Sequence, residues 1–256
     1  MELFISQLIN GLSVSSMLFI TALGLVIIFG LMDVVNMAHG EFIMLGAYVT
    51  YFVTTVFEAS FILAMLLAFT FTALFGVLIE VTLIKKLYGK VAESLLVTFA
   101  LSIILQQIVR MTLGPEDKFV GLPIEGSIDF AGIVVPLYNV FLIAIAVIIM
   151  LTTLALFYRT SFGMQLRAVT KNRNMAQCLG INTSRIDTLT FACGSGLAGL
   201  AGTSIAGTAA SSVVVSESVT VMAGYISEIT AKILVFLIII ILIRFKPEGL
   251  FTMERR

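Results

Sequence analysis

The sequence predicts an all-α polytopic membrane protein, and three observations carry that reading. Apolar residues make up 59% of the 256-residue chain and charged residues only 12%, with a mean hydropathy of +1.12. A soluble globular chain carries about 25% charged residues. Uncharged runs recur at the length of about 20 residues that a helix needs to cross the hydrocarbon. The basic residues gather in three segments that fall on one side of the membrane if the runs alternate. Net charge is zero, so overall charge says nothing about partners.

About seven transmembrane helices are expected. Leu12 to Met32 supplies the first. Met1-Glu2-Leu3 lacks the basic region of a cleaved signal peptide, so this run is read as a retained span. Phe42 to Phe57 is shorter, a tilted span or a half-helix. Ala59 to Ile84 is the third, with Glu80 near its end, and Leu95 to Leu113 the fourth. Val134 to Tyr158, Asp187 to about Ala210, and Ile226 to Ile243 complete the set. The loop Gly114 to Pro136 holds Gly114-Pro115 and Leu122-Pro123, which mark turns and not a further span.

Between the first two runs lies Asp33-Val34-Val35-Asn36-Met37-Ala38-His39-Gly40-Glu41, with two carboxylates and the only histidine of the chain. Polar groups near hydrocarbon turn toward a protein interior, an aqueous cavity or the interface. The stretch is therefore either a polar turn at the membrane surface or a broken helix near Asn36 to Glu41 whose freed backbone lines a pathway.

Lys85, Lys86 and Lys90 form one basic segment, Arg159, Arg167, Lys171, Arg173 and Arg185 a second, and Arg244, Lys246, Arg255 and Arg256 the tail. The positive-inside rule makes their side cytoplasmic, with the N-terminus outside and the C-terminus inside. The acidic residues Glu2, Glu58, Glu116, Asp117, Glu125 and Asp129 fall on the opposite side. Tyr88, Tyr138 and Tyr158 stand near span ends, where tyrosine anchors to the interface.

The inner loop 159–186 contains Gly163 to Gly180, in which Met164, Ala168, Met175 and Leu179 recur at helical spacing beside Arg167, Lys171 and Asn174. This is a short amphipathic helix bounded by glycines. It either lies on the lipid surface through its basic face or docks a cytoplasmic partner. The polar cluster Asn172, Asn174 and Gln177 favours docking. Next come Gly194, Gly196, Gly199 and Gly202, small residues whose density lets helix backbones pack closely.

Catalytic chemistry is poorly supported. No HExxH zinc motif and no GxxxxGK[ST] phosphate loop occur. Cys178 and Cys193 form no CxxC pair, and no His cluster accompanies them, so no metal is expected. No cofactor is expected either, and no basic aromatic face points to nucleic acid.

Gly24-Leu25-Val26-Ile27-Ile28-Phe29-Gly30, Val35-Asn36-Met37-Ala38-His39-Gly40-Glu41-Phe42 and Leu45-Gly46-Ala47-Tyr48 resemble the permease subunits of ATP-binding-cassette importers for branched-chain amino acids. Gly163 to Gly202 and Phe245-Lys246-Pro247-Glu248-Gly249-Leu250-Phe251 look like the same family. Asn36 to Glu41 and Met175 to Ile181 are most similar to the urea-importer permease. The resemblance implies a single permease domain over residues 1–256 in the plasma (inner) membrane, forming part of the pathway for urea or, alternatively, for branched-chain amino acids. A free-standing channel or secondary transporter is the rival from another class; it would need no docking helix.

The implied partners are a second homologous permease, two cytoplasmic ATPases that would hydrolyse the ATP, and an extracytoplasmic solute-binding protein, with lipid around the spans. The polar stretch itself is the expected solute pathway, at Asn36, His39, Gly40 and Glu41. The resemblance implies ATPase docking at Gly163, Arg167, Lys171, Asn172, Met175 and Gly180. The chain departs from the family at Thr203 to Tyr225, which is short and lacks a Gly-Gly-x-Gly-Asn type motif, as if a helical pair were missing.

Overall fold

The structure, a computed structural model, describes residues 2–32, 34–88, 90–114, 120–121, 126–130 and 133–223. Two compact units divide the chain, Met1–Ser211 and Ser212–Arg256. The architecture that follows is that of the first. Of the second, the described part is helix up to Ala223.

The helices are α1 (Glu2–Met32), α2 (His39–Tyr51), α3 (Phe61–Thr82), α4 (Val91–Leu113), α5 (Leu137–Arg159), α6 (Ser161–Lys171), α7 (Arg173–Cys178) and α8 (Thr183–Ala223). Among the described residues, α1, α3, α4, α5 and α8 are long and apolar enough to cross a membrane. This is a multi-pass, all-α membrane protein. The expected count of seven differs for two reasons. The run Ile226 to Ile243 lies outside the described residues, and Phe42 to Phe57 is divided between α2 and a π-helical turn. Its helix α2 has 13 residues, a rise of about 20 Å at 1.5 Å per residue. A π-helical turn, Phe52–Val56, extends it, and the Phe57 amide donates to the Phe52 carbonyl at 3.0 Å.

The loop Gly114 to Pro136 is more than turns. Strands β1 (Ser127–Phe130) and β2 (Ile133–Pro136) pair antiparallel, from Ser127 opposite Pro136 to Phe130 opposite Ile133. Ile128, Ile133, Val134 and Val135 are β-branched and suit a pleated pair.

Helix α8 is the centre. In its most apolar stretch 67% of residues are buried, against at most 28% for the other spans. Its small residues explain why. A Cβ at Gly194 would stand 2.9 Å from the Gly24 carbonyl of α1. One at Gly196 would meet the Phe69 ring of α3 at 2.6 Å, and one at Gly202 the Ile43 carbonyl of α2 at 2.0 Å. At Gly199 a Cβ would stand 2.1 Å from Thr72 Oγ1 of α3. Without side chains, these backbones approach closely enough for dispersion to hold helices together in lipid. Hydroxyls add ties: Thr50 donates to Thr203 Oγ1 at 2.9 Å, and Tyr138 donates to the Ser204 carbonyl at 2.9 Å.

The inner loop is two helices, not the single helix expected. Asn172 is extended (φ −156°, ψ 99°), and its Oδ1 accepts from the Met175 amide at 3.0 Å, capping α7. An Asn that satisfies a free first-turn amide starts a new helix instead of continuing the old one. The apolar face also differs. Leu166, Val169 and Ala176 are buried with Ile186, whereas Met164, Met175 and Leu179 are exposed.

Candidate functional site

The break between α1 and α2 lies deep in the bundle. His39 Nε2 is 3.2 Å from the Thr21 carbonyl, and Thr21 stands eleven residues before the end of α1 at Met32. At 1.5 Å per residue that is about 16 Å along the helix. On the facing helix the same climb is visible. The Met37 amide donates to Thr98 Oγ1 at 3.1 Å, low on α4, while Glu41 meets Ser102 and Gln106 further along it. Residues 34–38 therefore run as irregular chain beside α1, and α2 begins within the bundle, with His39 reaching Thr21 of α1. Phe42 pins this start, with edge contacts to Phe75 of α3 at 6.0 Å and Phe191 of α8 at 6.1 Å.

A helix N-terminus exposes amide donors and the positive end of the peptide dipoles. Its cap residue, Ala38, offers no side-chain acceptor. Asn36 Oδ1 accepts from the Ala38 amide at 3.1 Å, but Asn36 Nδ2 has no partner among the described residues. A carbonyl can only accept, so His39 Nε2 carries the proton toward Thr21. His39 Nδ1 is then an acceptor in the neutral ring, and it too lacks a partner. Both residues are more than nine-tenths buried. Such orphans are rare and call for an explanation.

Gly40 is exposed, and nothing lies within 4 Å of where its Cβ would stand. Close backbone approach occurs instead at Gly24 and Gly46, where a Cβ would stand 2.7 Å from the Gly194 carbonyl and 2.3 Å from the Gly199 carbonyl of α8. Glu41 is buried, and its Oε1 accepts from Ser102 at 2.8 Å and Gln106 at 2.6 Å. It braces α2 against α4. Thr98, Ser102 and Gln106, which serve the break, are absent from the residues singled out by sequence. Their spacing of four in an apolar run was the available signal, since it puts them on one helix face.

The inner loop residues take several roles. A Cβ at Gly163 would stand 2.1 Å from the Phe157 carbonyl, so glycine is required where α6 turns off α5. Arg167 donates to that carbonyl and lies over the Tyr158 ring at 5.5 Å, which engages it at the end of α5. Lys171 and Met175 are exposed. Gly180 has φ +80°, a conformation that favours glycine. It closes α7 with bonds from Gly180 N to Gln177 O and Ile181 N to Ala176 O, the six-to-one and five-to-two pattern of a helix stop.

Among the described residues, five long apolar helices packed around a polar break between α1 and α2 define a multi-pass helical membrane protein. The chain belongs to the branched-chain amino acid transport system permease component family, whose model matches residues 7–227. It is 29% identical over 212 residues to the high-affinity branched-chain amino acid transport system permease protein BraD of Pseudomonas aeruginosa, covering 77% of this chain and 69% of BraD. It is 30% identical over 223 residues to LivH of Salmonella typhimurium, covering 78% and 69%, respectively. The probable LivH of Methanocaldococcus jannaschii is 28% identical over 200 residues, covering 73% of this chain and 62% of that protein. No solved structure matches. A permease component is a transport subunit and not itself an enzyme.

Proposed function

We propose that this chain forms part of the pathway for branched-chain amino acids in an ATP-driven importer. The observation that carries this reading is the start of α2, a helix N-terminus within the bundle that is open at Gly40. A zwitterionic amino acid presents a carboxylate, which amide donors and the positive helix end favour without a fixed cation. Beside that helix end Asn36 Nδ2 and His39 Nδ1 are buried without a partner among the described residues, a donor and an acceptor that the solute could meet only once the site opens. The named relatives are branched-chain amino acid permeases, which supports this solute. The finer likeness to urea permeases finds no support among them.

The importer would pair this permease with a second, homologous one across the open face at Met37 and Gly40. Two ATPases would dock from the cytoplasm on residues 159–186, through the exposed Lys171, Met175 and Leu179, and a solute-binding protein would deliver from outside. The N-terminus would lie outside and the C-terminus in the cytoplasm.

The test is uptake by proteoliposomes holding both permeases, both ATPases and the binding protein. Labelled leucine should accumulate with ATP, and labelled urea should not. Gly40→Leu should abolish leucine uptake while the complex still co-purifies. Urea uptake without leucine uptake would overturn the solute, and full uptake by Gly40→Leu would overturn the site.

A further inference from the structure

A second buried polar cluster lies beside the break, about one helical turn from Phe75 of α3 and Phe191 of α8. Glu80 of α3 is fully buried, with both carboxylate oxygens occupied. Tyr88 donates to Oε1 at 2.7 Å and Thr188 of α8 donates to Oε2 at 2.7 Å. Beside it Asp187, also buried, forms an ion pair with Arg173, the first residue of α7. The Arg173 guanidinium lies over the Tyr88 ring, 5.0 Å from its centroid. Burial, reinforced by the Glu80 carboxylate, pushes the Tyr88 hydroxyl well up from its ordinary value, so Tyr88 remains a donor.

The placement of Arg173 is not explained by its own helix. A cation in the first turn opposes the helix dipole, and a helix of six residues does not hold itself together. What it does is tie α7 to α8 through Asp187 and to the turn after α3 through Tyr88. Seven residues beyond Asp187, Gly194 packs on Gly24 of α1. Further along, a Cβ at Gly46 of the half-helix would stand 2.3 Å from the Gly199 carbonyl. Contacts thus run from α7 through Asp187 and α8 to α1 at Gly24 and to α2 at Gly46.

We propose that Arg173 and Asp187 are the positioning pair that couples ATPase movement at α6 and α7 to α3, α8 and the half-helix. The inference rests on the reading of this chain as an importer permease with ATPases docked on those helices. Arg173 faces inward to Asp187 while Lys171, Met175 and Leu179 face out, so coupling and docking are carried by different side chains.

The experiment uses the complete importer in proteoliposomes, with ATP hydrolysis and leucine uptake measured together. Arg173→Gln and Asp187→Asn should each leave both ATPases bound and raise ATP consumed per leucine by about tenfold, within the range of allosteric couplings. The double variant should be no worse than either single one, because both remove the same contact. Arg173→Lys, which keeps the charge, should restore most of the coupling. An unchanged ratio in both single variants would overturn the inference, as would loss of bound ATPases from Arg173→Gln, which would make Arg173 a docking residue. A wild-type complex without solute-stimulated hydrolysis would overturn the importer reading itself, and the inference with it.

Discussion

One carbon atom decides whether α8 can sit where it does. A Cβ at Gly199 would stand 2.1 Å from Thr72 Oγ1 and 2.7 Å from the Ala68 carbonyl, and backbone cannot move aside as a flexible side chain can. Gly199→Val should therefore lower the thermal midpoint of the purified protein in detergent, at an overpacking cost of about 1–3 kcal/mol. Gly11→Ala, inside α1 with nothing within 4 Å of the added carbon, should not lower the midpoint, since alanine favours the helix over glycine; an equal fall would refute the packing argument. The buried bond set at Glu41 gives a second case. Glu41→Ala removes the acceptor for Ser102 and Gln106, and a buried donor left unpaired costs about 1–3 kcal/mol. Its midpoint should fall in the same assay, and Gln106→Leu in the same background should recover part of it by removing one stranded donor.

Among the elements, the split of the inner loop shows what a sequence reading can and cannot reach. The spacing of Met164, Ala168, Met175 and Leu179 looked like one apolar face. Helical periodicity alone cannot register a residue such as Asn172 that ends one helix and caps the next. Once the phase resets there, Leu166, Val169 and Ala176 form the buried face and the methionines turn out. Asn172→Ala should cost about 1 kcal/mol, seen as faster amide exchange across α7 with that of α8 unchanged; equal protection in both proteins would count against the cap. For docking, Lys171→Glu with Met175→Asp is a cleaner probe than any change at Arg167, which is engaged with the Phe157 carbonyl. The pair should sharply reduce ATPase co-purification, and undiminished recovery would remove α6 and α7 from the interface. The break at Asn36 to Glu41 was legible because polar residues interrupted oil. Its depth was not, because depth depends on which residue of α1 His39 meets.

For the molecule as a whole, the all-α class and most spans followed from composition and run length, since lipid leaves the backbone few alternatives. The hairpin of β1 and β2 escaped notice because four-residue strands carry little pattern. Arg173 and Asp187 escaped because their partnership spans two helices. Membrane-impermeant thiol reagents should test the orientation. Applied outside, they should label a Glu58→Cys variant and spare the exposed Cys178, and the reverse pattern would invert the topology. The central position of α8 has a further consequence for biosynthesis. The backbone surfaces at Gly24, Gly46 and Gly76 are fitted to a helix the ribosome has not yet made. At about 5–20 residues per second, roughly 8–30 s separate Gly46 from Gly199. For that interval the early helices sit in the bilayer as an unfilled socket, open to quality-control proteases, and the arrival of the last described span sets the moment at which the nascent chain becomes resistant to them.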